Sequence, residues 1–439
     1  MTSAAAMYLL YSSLLALAVV LSAPWWLLRM ALHGKYRAGL SERLGRVPPR
    51  LRAVGLQPAI WIHAVSVGEA LAVASLIDRL RGEFPAHRIV VSTTTNTGQQ
   101  LARKRFGAEN VFYFPLDFAF CIRPYLRALQ PRLVVLAETE FWPNFLRMAR
   151  SSGAQIAVVN ARISDRSFPR YRRWQNLLRR ALANISLFCA QTETDAQRLR
   201  QIGAPIERVH TSGNLKFDIR PPAETALVAE LRAAIRQAGL GPVIVAGSTV
   251  EGEEGPLLRE FAAAVQPHFP NALLVLAPRH PERFAAVAEQ AMRSGHALVR
   301  RSEWAARPLA RVFLLDSIGE LASLYALADV AIAGGSFAPR GGHNILEPAF
   351  FSKPIVIGPH YHNFRDIVER FLRSDAVIIS QQPLQAAAAL LNQPARAEQL
   401  GSHAAAVLHA ERGATDRTFN ALRGLVLDAV PQPGPQEVA

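Results

Sequence analysis

The sequence predicts an α/β protein: two doubly wound, Rossmann-like domains facing a central cleft, behind an amino-terminal transmembrane helix. Three observations carry this. The 439 residues exceed one ordinary core and suit two domains of about 150 to 200 residues each. From residue 59 onward, short β-branched apolar runs alternate with stretches of helical period, the rhythm of parallel sheets covered on both faces. Ahead of them, Ala4 to Ala23 carries no charge.

That first stretch reaches about 30 Å as a helix, enough to cross a bilayer core. Trp25 and Trp26 follow, where interfacial aromatics belong, and then Arg29, Lys35, Arg37, Arg43, Arg46, Arg50 and Arg52 stand against the single acid Glu42. By the positive-inside rule the body is cytoplasmic and the amino terminus faces outward. A cleaved signal peptide would want Lys or Arg before Met7, which are absent, and a clean small-x-small site leading into Pro24, which the sequence does not offer. An interfacial helix would want a polar face, which the stretch lacks.

In the first half the expected strands end at Val65, Thr95, Asp117, Glu140, Ser164 and Thr192. Helices fill the gaps, as in GEALAVASLIDRLRGEF from Gly68. The paired prolines of Asp218 to Glu224, DIRPPAE, deny helix and central strand alike and mark a linker. Behind it the rhythm restarts, with strands expected to end at Thr249, Pro278, Ser317, Gly335 and Pro359, and an Ala-rich helical tail running to about Val430. The expected division is 1–28 anchor, 29–217 first domain, 218–430 second domain and 431–439 disordered tail.

The formal net charge of +15 speaks of partners: nucleic acid, anionic membrane or phosphorylated substrates. The helix DRSFPRYRRWQNLLRR, with Arg166, Arg170, Arg172, Arg173, Arg179 and Arg180, reads as a solvated or membrane-facing surface. The two cysteines, Cys121 and Cys189, lie in apolar stretches without ligand spacing, which excludes a disulfide framework and a zinc site.

In open parallel sheets ligands bind beyond the carboxyl ends of strands. In WIHAVSVGEA, Glu69 stands at such a place, either as an ordinary first-turn acid favoured by the helix dipole or as a general base. In LAETEFWPN, Glu138 and Glu140 lie two apart, so an extended chain would project them together, as a coupled pair or as partners of arginines. TSGNLKFD sets Lys216 beside the linker. The second half offers GSTVEGEE, APRHPERF, DSIGEL and GGSFAPRGGHNILEP, four junctions compatible with an anion or nucleotide. The Gly-Lys-Ser/Thr ending of a Walker loop is absent, so ATP hydrolysis is not supported.

Taken together, GGSFAPRGGHNILEP, GSTVEGEE, APRHPERF, SVGE, ETEFWPN and GNLKFD resemble the 3-deoxy-D-manno-octulosonic acid (Kdo) transferases of lipopolysaccharide synthesis. The resemblance covers nearly the whole chain. It implies a GT-B fold with an acceptor-binding first domain and a donor-binding second domain, CMP-Kdo as donor, and lipid A or its precursor lipid IV-A as acceptor. It further implies the inner membrane as location, no metal or other cofactor, and no nucleic-acid partner. Carried over residue by residue, Glu69 would accept the proton, while Glu140 and Lys216 would stabilise the transition state. CMP would touch Pro278 and Arg279, then Ile318, Gly319 and Glu320, then Asn344, Ile345, Leu346 and Glu347. A different GT-B enzyme acting on a UDP-sugar is the nearest rival, since the fold alone does not fix the chemistry.

Overall fold

The computed structural model describes residues 3–33, 38–52, 57–218, 225–305 and 308–427. Linker residues 219–224, Lys35 and Arg37 of the basic flank, and the tail 431–439 lie outside the described residues. The described chain forms two compact units, one from Met1 to Asp218 joined by the segment from Arg412 onward, the other from Ile219 to Glu411.

In the first unit the strands are β1 Ala59–His63, β2 Arg88–Thr93, β3 Val111–Tyr113, β4 Pro131–Ala137, β5 Gln155–Ala161, β6 Leu187–Ala190 and β7 Val209–Thr211, in the spatial order β3-β2-β1-β4-β5-β6-β7. All pairings are parallel. Every residue of β1 is buried, because helices cover both faces of the sheet. Side-chain alternation sends Trp61 into one core and Ile60 and Ile62 into the other. Trp61 packs edge-on against Phe145 at 5.0 Å and also against Phe112, Phe114 and Tyr125, while its Nε1 donates to Ser92 Oγ at 2.7 Å.

The second unit repeats the plan with β8 Val243–Thr249, β9 Leu273–Pro278, β10 Leu298–Arg300, β11 Val312–Leu314, β12 Val330–Ala333, β13 Ile355–Ile357 and β14 Ile378–Ile379, ordered β10-β11-β9-β8-β12-β13-β14. These pairings too are parallel. The expectation of two doubly wound α/β domains of GT-B type is met.

The division of the chain differs from the expected one at its carboxyl end. The Ala-rich tail is not one continuous helix but Pro383–Leu391, Pro394–Glu411 and Ala414–Leu427, broken before Pro394 and again at Gly413, whose φ is +88°. The last of the three returns to the first unit, where Phe419, Leu422 and Val426 join the core that holds Ile60 and Ile62. The basic segment after Asp165 likewise divides, into Phe168–Arg173 and Gln175–Leu182, with Trp174 exposed between them.

The first helix, Ser3–His33, has one stretch long and apolar enough to cross a membrane, Ala6–Trp26. Its amino-terminal third is held on the first unit. Asn144 Nδ2 donates to Ser12 Oγ at 2.9 Å, the Arg147 guanidinium lies 4.7 Å from the Tyr8 ring centre, and Asn184 Nδ2 reaches the Tyr8 hydroxyl at 3.4 Å.

Phe145 is fully buried where the aromatic cluster closes. Phe145→Ala is expected to cost about 3 to 5 kcal/mol of first-unit stability, read as a fall in its denaturation midpoint. A midpoint shift corresponding to under about 1 kcal/mol would mean that the cluster does not carry the core.

Candidate active site

Each sheet reverses its strand order once at its centre, between β1 and β4 in the first unit and between β8 and β12 in the second. Loops leaving two such strands diverge to opposite faces and open a crevice beyond the carboxyl ends. Glu69, Glu138, Glu140 and Lys216 gather at the first of these places, and Arg279, Asn344 and Glu347 share a neighbourhood at the second, while Ile318, Gly319 and Glu320 follow β11.

In the first unit, β1 runs out at His63 and Ser66 caps the helix Val67–Ala72. Ser66 Oγ accepts from Glu69 N at 3.4 Å, and the Glu69 carboxylate accepts from Val65 N at 2.7 Å and from Ser66 Oγ at 3.0 Å. This is a capping box, so Glu69 does serve the helix end. It is also unusually hard to ionise. Burial first, then the charge of Glu138 and more weakly that of Glu140, push it up to about 7, against the hydrogen bonds from Val65 and Ser66. A carboxyl group poised there titrates where a general base is most effective.

The acids arriving from β4 do not follow the extended-chain expectation. β4 ends at Ala137 and Glu138 is left-handed, with φ +58°, so the period-two rule fails at this corner. Both carboxylates nonetheless come close enough to raise Glu69. Glu140 is itself raised by burial, and Trp142 Nε1 donates to it at 3.0 Å. Lys216 faces Glu138, with Nζ 3.4 Å from Oε1. Lys216 is thus held by Glu138.

Lys216 is aimed by a short turn. Asn214 Oδ1 accepts from Lys216 N at 3.0 Å, and Asn160 Oδ1 accepts from Leu215 N at 3.0 Å. Asn160 is buried and left-handed, with φ +54°, at the irregularity where β5 loses register with β6. Sequence reading passed over Asn160, since an Asn inside an apolar strand gives no motif. Its one signal was being the polar residue inside the apolar run IAVVNA.

In the second unit the loop after β8 supplies Glu253, which is 2% exposed and anchors the Gly-rich stretch. Its Oε2 accepts from Val250 N at 3.0 Å and Gly335 N at 2.8 Å, and its Oε1 accepts from Phe337 N and Ala338 N, each at 3.0 Å. Glu254 is paired with Arg283 and also receives Thr249 Oγ1 at 3.0 Å. These two acids are spent on structure. The Gly-rich loop follows a tight path, because a side chain at Gly334 would meet the Ser248 carbonyl oxygen at 2.7 Å.

Beyond that loop, Asn344 Nδ2 donates to Glu347 Oε1 at 3.1 Å while its Oδ1 accepts from Leu346 N at 3.1 Å. Burial raises Glu347, and Asn344 and Arg279 oppose the shift. Arg279 thus shares one neighbourhood with Glu347, and with His343, which it pushes in the acid direction. The side chains of Ile345 and Leu346 are buried, so a ligand there would meet backbone. Pro278 ends β9 next to Arg279. In DSIGEL, Gly319 takes φ +96°, Ile318 is 64% exposed, and Glu320 receives Arg301 Nη2 at 3.2 Å as well as the Ser317 hydroxyl. Tyr325, missed in the sequence, ties these segments together. It is buried, feels the charge of Glu347, and lies so close to Gly247 that a Cβ there would stand 2.0 Å from its hydroxyl.

The saturation of Glu253 makes a direct test. In Glu253→Gln an amide nitrogen would face N–H donors, leaving at least one buried donor unmatched at about 1 to 3 kcal/mol. The second unit is expected to lose that much in urea unfolding, and a variant as stable as the parent would refute the anchor.

Residues 38–219 match the family described as 3-Deoxy-D-manno-octulosonic-acid transferase (kdotransferase). The chain is 34% identical over 402 residues to a 3-deoxy-D-manno-octulosonic acid transferase of Haemophilus influenzae, covering 89% of this chain and 92% of that one. It is 37% identical over 417 residues to the transferase of the same description from Bordetella pertussis, covering 90% and 94%. Among solved structures, UDP-GlcNAc 2-epimerase from Neisseria meningitidis bound to UDP-GlcNAc superposes with a TM-score of 0.53 at 13% identity, covering 83% of this chain and 99% of that chain, a likeness of fold alone. With two curated relatives above 30% identity matched over nearly their full length, the chain belongs to the Kdo transferase family and is a glycosyltransferase of GT-B fold.

Proposed function

We propose that the protein transfers Kdo from CMP-Kdo to lipid A or its precursor lipid IV-A at the cytoplasmic face of the inner membrane. The observation that carries this reading is Glu69, a carboxyl group that burial first, then Glu138 and more weakly Glu140, push up to about 7 at the central crossover of the first unit's sheet. Glu69 takes the proton of the acceptor hydroxyl as that oxygen attacks the anomeric carbon of the donor. Positive charge develops on the sugar as CMP departs, so carboxylates near the reacting carbon favour the transition state and cations favour the leaving phosphate. Glu140 serves the first need and Lys216 the second, with Glu138 fixing the direction of the lysine.

The donor nucleotide binds the second unit. Arg279, beside Pro278, meets the phosphate, Glu347 accepts from the ribose hydroxyls, and backbone at Asn344, Ile345 and Leu346 and at Ile318, Gly319 and Glu320 frames the rest. Lipid A phosphates and the anionic bilayer account for the net charge of +15, with the exposed Arg170, Arg172, Arg173 and Trp174 turned to the membrane surface. The basic flank after Trp26 supports a cytoplasmic body. An outward amino terminus would part the contacts of Tyr8 and Ser12 with the first unit, so the reading keeps only the side of the membrane for the body.

The deciding experiment is transfer itself: membranes, lipid IV-A, CTP and a Kdo-activating enzyme, followed by the mass of the lipid. Addition of Kdo is expected, and an unchanged lipid overturns the proposal. CMP is expected to raise the melting midpoint where UDP does not, and the reverse would favour the UDP-sugar rival.

Two variants test the residues. Glu69→Gln is expected to lower turnover at least about 100-fold, the lower end for a positioned base. A base must be ionised, so the parent's rate should fall as pH drops through about 7, and that limb should vanish with Glu69. Near-parental transfer by a folded Gln variant would move the role to Glu140. Glu347→Ala is expected to weaken CMP binding by about 1 to 3 kcal/mol, and unchanged affinity would remove Glu347 from the ribose.

A further inference from the structure

His343 sits inside the Gly-rich stretch with its ring against Gly335, where a Cβ would lie 2.5 Å from Cδ2 and 2.6 Å from Nε2. The ring is thereby packed in place. Its Nε2 is buried and has no hydrogen-bond partner. A buried polar atom without a partner is costly and calls for an explanation, such as a ligand that completes it. The charged surroundings say what sort of ligand. Arg279 and His280, from the loop after β9, both act on His343 in the sense that opposes a second positive charge.

The carboxylates about this segment are engaged with other groups. Glu253 lies below Gly335 with its carboxylate taken up by backbone N–H groups, and Glu347 is hydrogen-bonded to Asn344. From the loop after β13, Tyr361 and the His360 carbonyl approach Gly342. Burial first, then Arg279 and His280, the latter 3.9 Å from Glu282 Oε1, push the His343 ring down to about 4, so it is neutral in the unliganded protein at pH 7. The neighbourhood is therefore rich in positive charge and holds an imidazole that cannot keep a proton until an anion arrives.

We propose that His343 is an anion-binding residue of the donor site, contacting the nucleotide's phosphate and taking up one proton from solvent as that phosphate binds. This rests on the reading of the second unit as the nucleotide site. An arriving phosphate cancels the repulsion from Arg279 and His280 and supplies the acceptor that a charged imidazole needs. In the bound state the imidazolium then stands ready to hold the departing CMP, whose phosphate gains a negative charge as its bond to the sugar's anomeric carbon breaks and the acceptor oxygen bonds that carbon instead. Proton balance is simple: protein with His343 neutral, one solvent proton and the CMP dianion give a complex with His343 protonated.

The test is calorimetric titration of the full-length detergent-solubilised protein with CMP at pH 7.5, in buffers of different ionisation heat. The parent is expected to take up close to one proton per CMP bound, and to bind more tightly as pH is lowered from 8 toward 7. His343→Gln, or His343→Asn if the first variant does not fold, is expected to bind with no proton uptake and at least roughly tenfold more weakly. Cytidine, without a phosphate, should bring no proton. Binding of CMP by the parent without proton uptake, or uptake that survives in the variant, overturns the assignment. A parent that binds no CMP would instead refute the nucleotide site on which it rests.

Discussion

A carboxylate at the carboxyl end of a central parallel strand loses water, and everything around both sites depends on how that loss is compensated. Each unit carries such an acid just beyond a central strand, Glu69 in the helix after β1 and Glu253 in the turn after β8. Glu253 is compensated in full, with four backbone N–H groups fixing it and the Gly-rich loop at once. Glu69 receives one backbone N–H and one hydroxyl, and it faces two more carboxylates. Equivalent topology thus yields a fully bonded strut in one unit and a carboxyl group raised to about 7 in the other. The difference lies in the number of donors, which no residue type announces.

The same corners carry the backbone irregularities. Glu138, Asn160 and Ser248 are non-glycine residues in the left-handed region, and each follows or interrupts a central strand. At Asn160 and Ser248 the sheet register also slips. Such positions cost on the order of 1 kcal/mol or more each and persist where the surroundings fix them. Here each re-aims the chain at the point where a straight strand would carry its polar residue past the crevice. Asn160, so turned, reaches the backbone of the Lys216 turn, while Glu138 meets the lysine's charge. The cation is thereby positioned from two strands at once.

Much of this was legible because the central strands are buried on both faces and so read as unbroken apolar runs. Eleven expected strands have counterparts among β1–β6, β8, β9 and β11–β13, although most stop a few residues sooner, where loops with polar tips begin. The three strands that went unseen are edges. β7, β10 and β14 are two or three residues long and partly exposed, too short and too wet to print a period. The site was legible as segments after strands, since topology forces ligands there, but its pairings were not. That Lys216 takes Glu138 and not Glu140 follows from one left-handed residue, and the contribution of Tyr325 follows from the missing side chain of Gly247.

The boundary of the units shows the same limit from another side. The prolines after Asp218 disclosed where the chain leaves the first unit, because proline acts locally. The return at Arg412 is hidden, because helix-forming sequence runs up to Gly413 and on from it, and only a single glycine with positive φ divides the two helices. What fixes the return is a contact nearly two hundred residues distant in sequence: the Asp218 carboxylate accepts from Gly413 N at 2.7 Å and from Thr415 N. One acid therefore holds the point of departure and caps the returning helix, so the two connections leave the first unit side by side. The apolar face of that helix then fills the groove left by Ile60, Ile62 and Ala157. A fold in which the last helix completes the first core cannot close that core until the second unit has been made, an order imposed by connectivity and invisible to any local pattern.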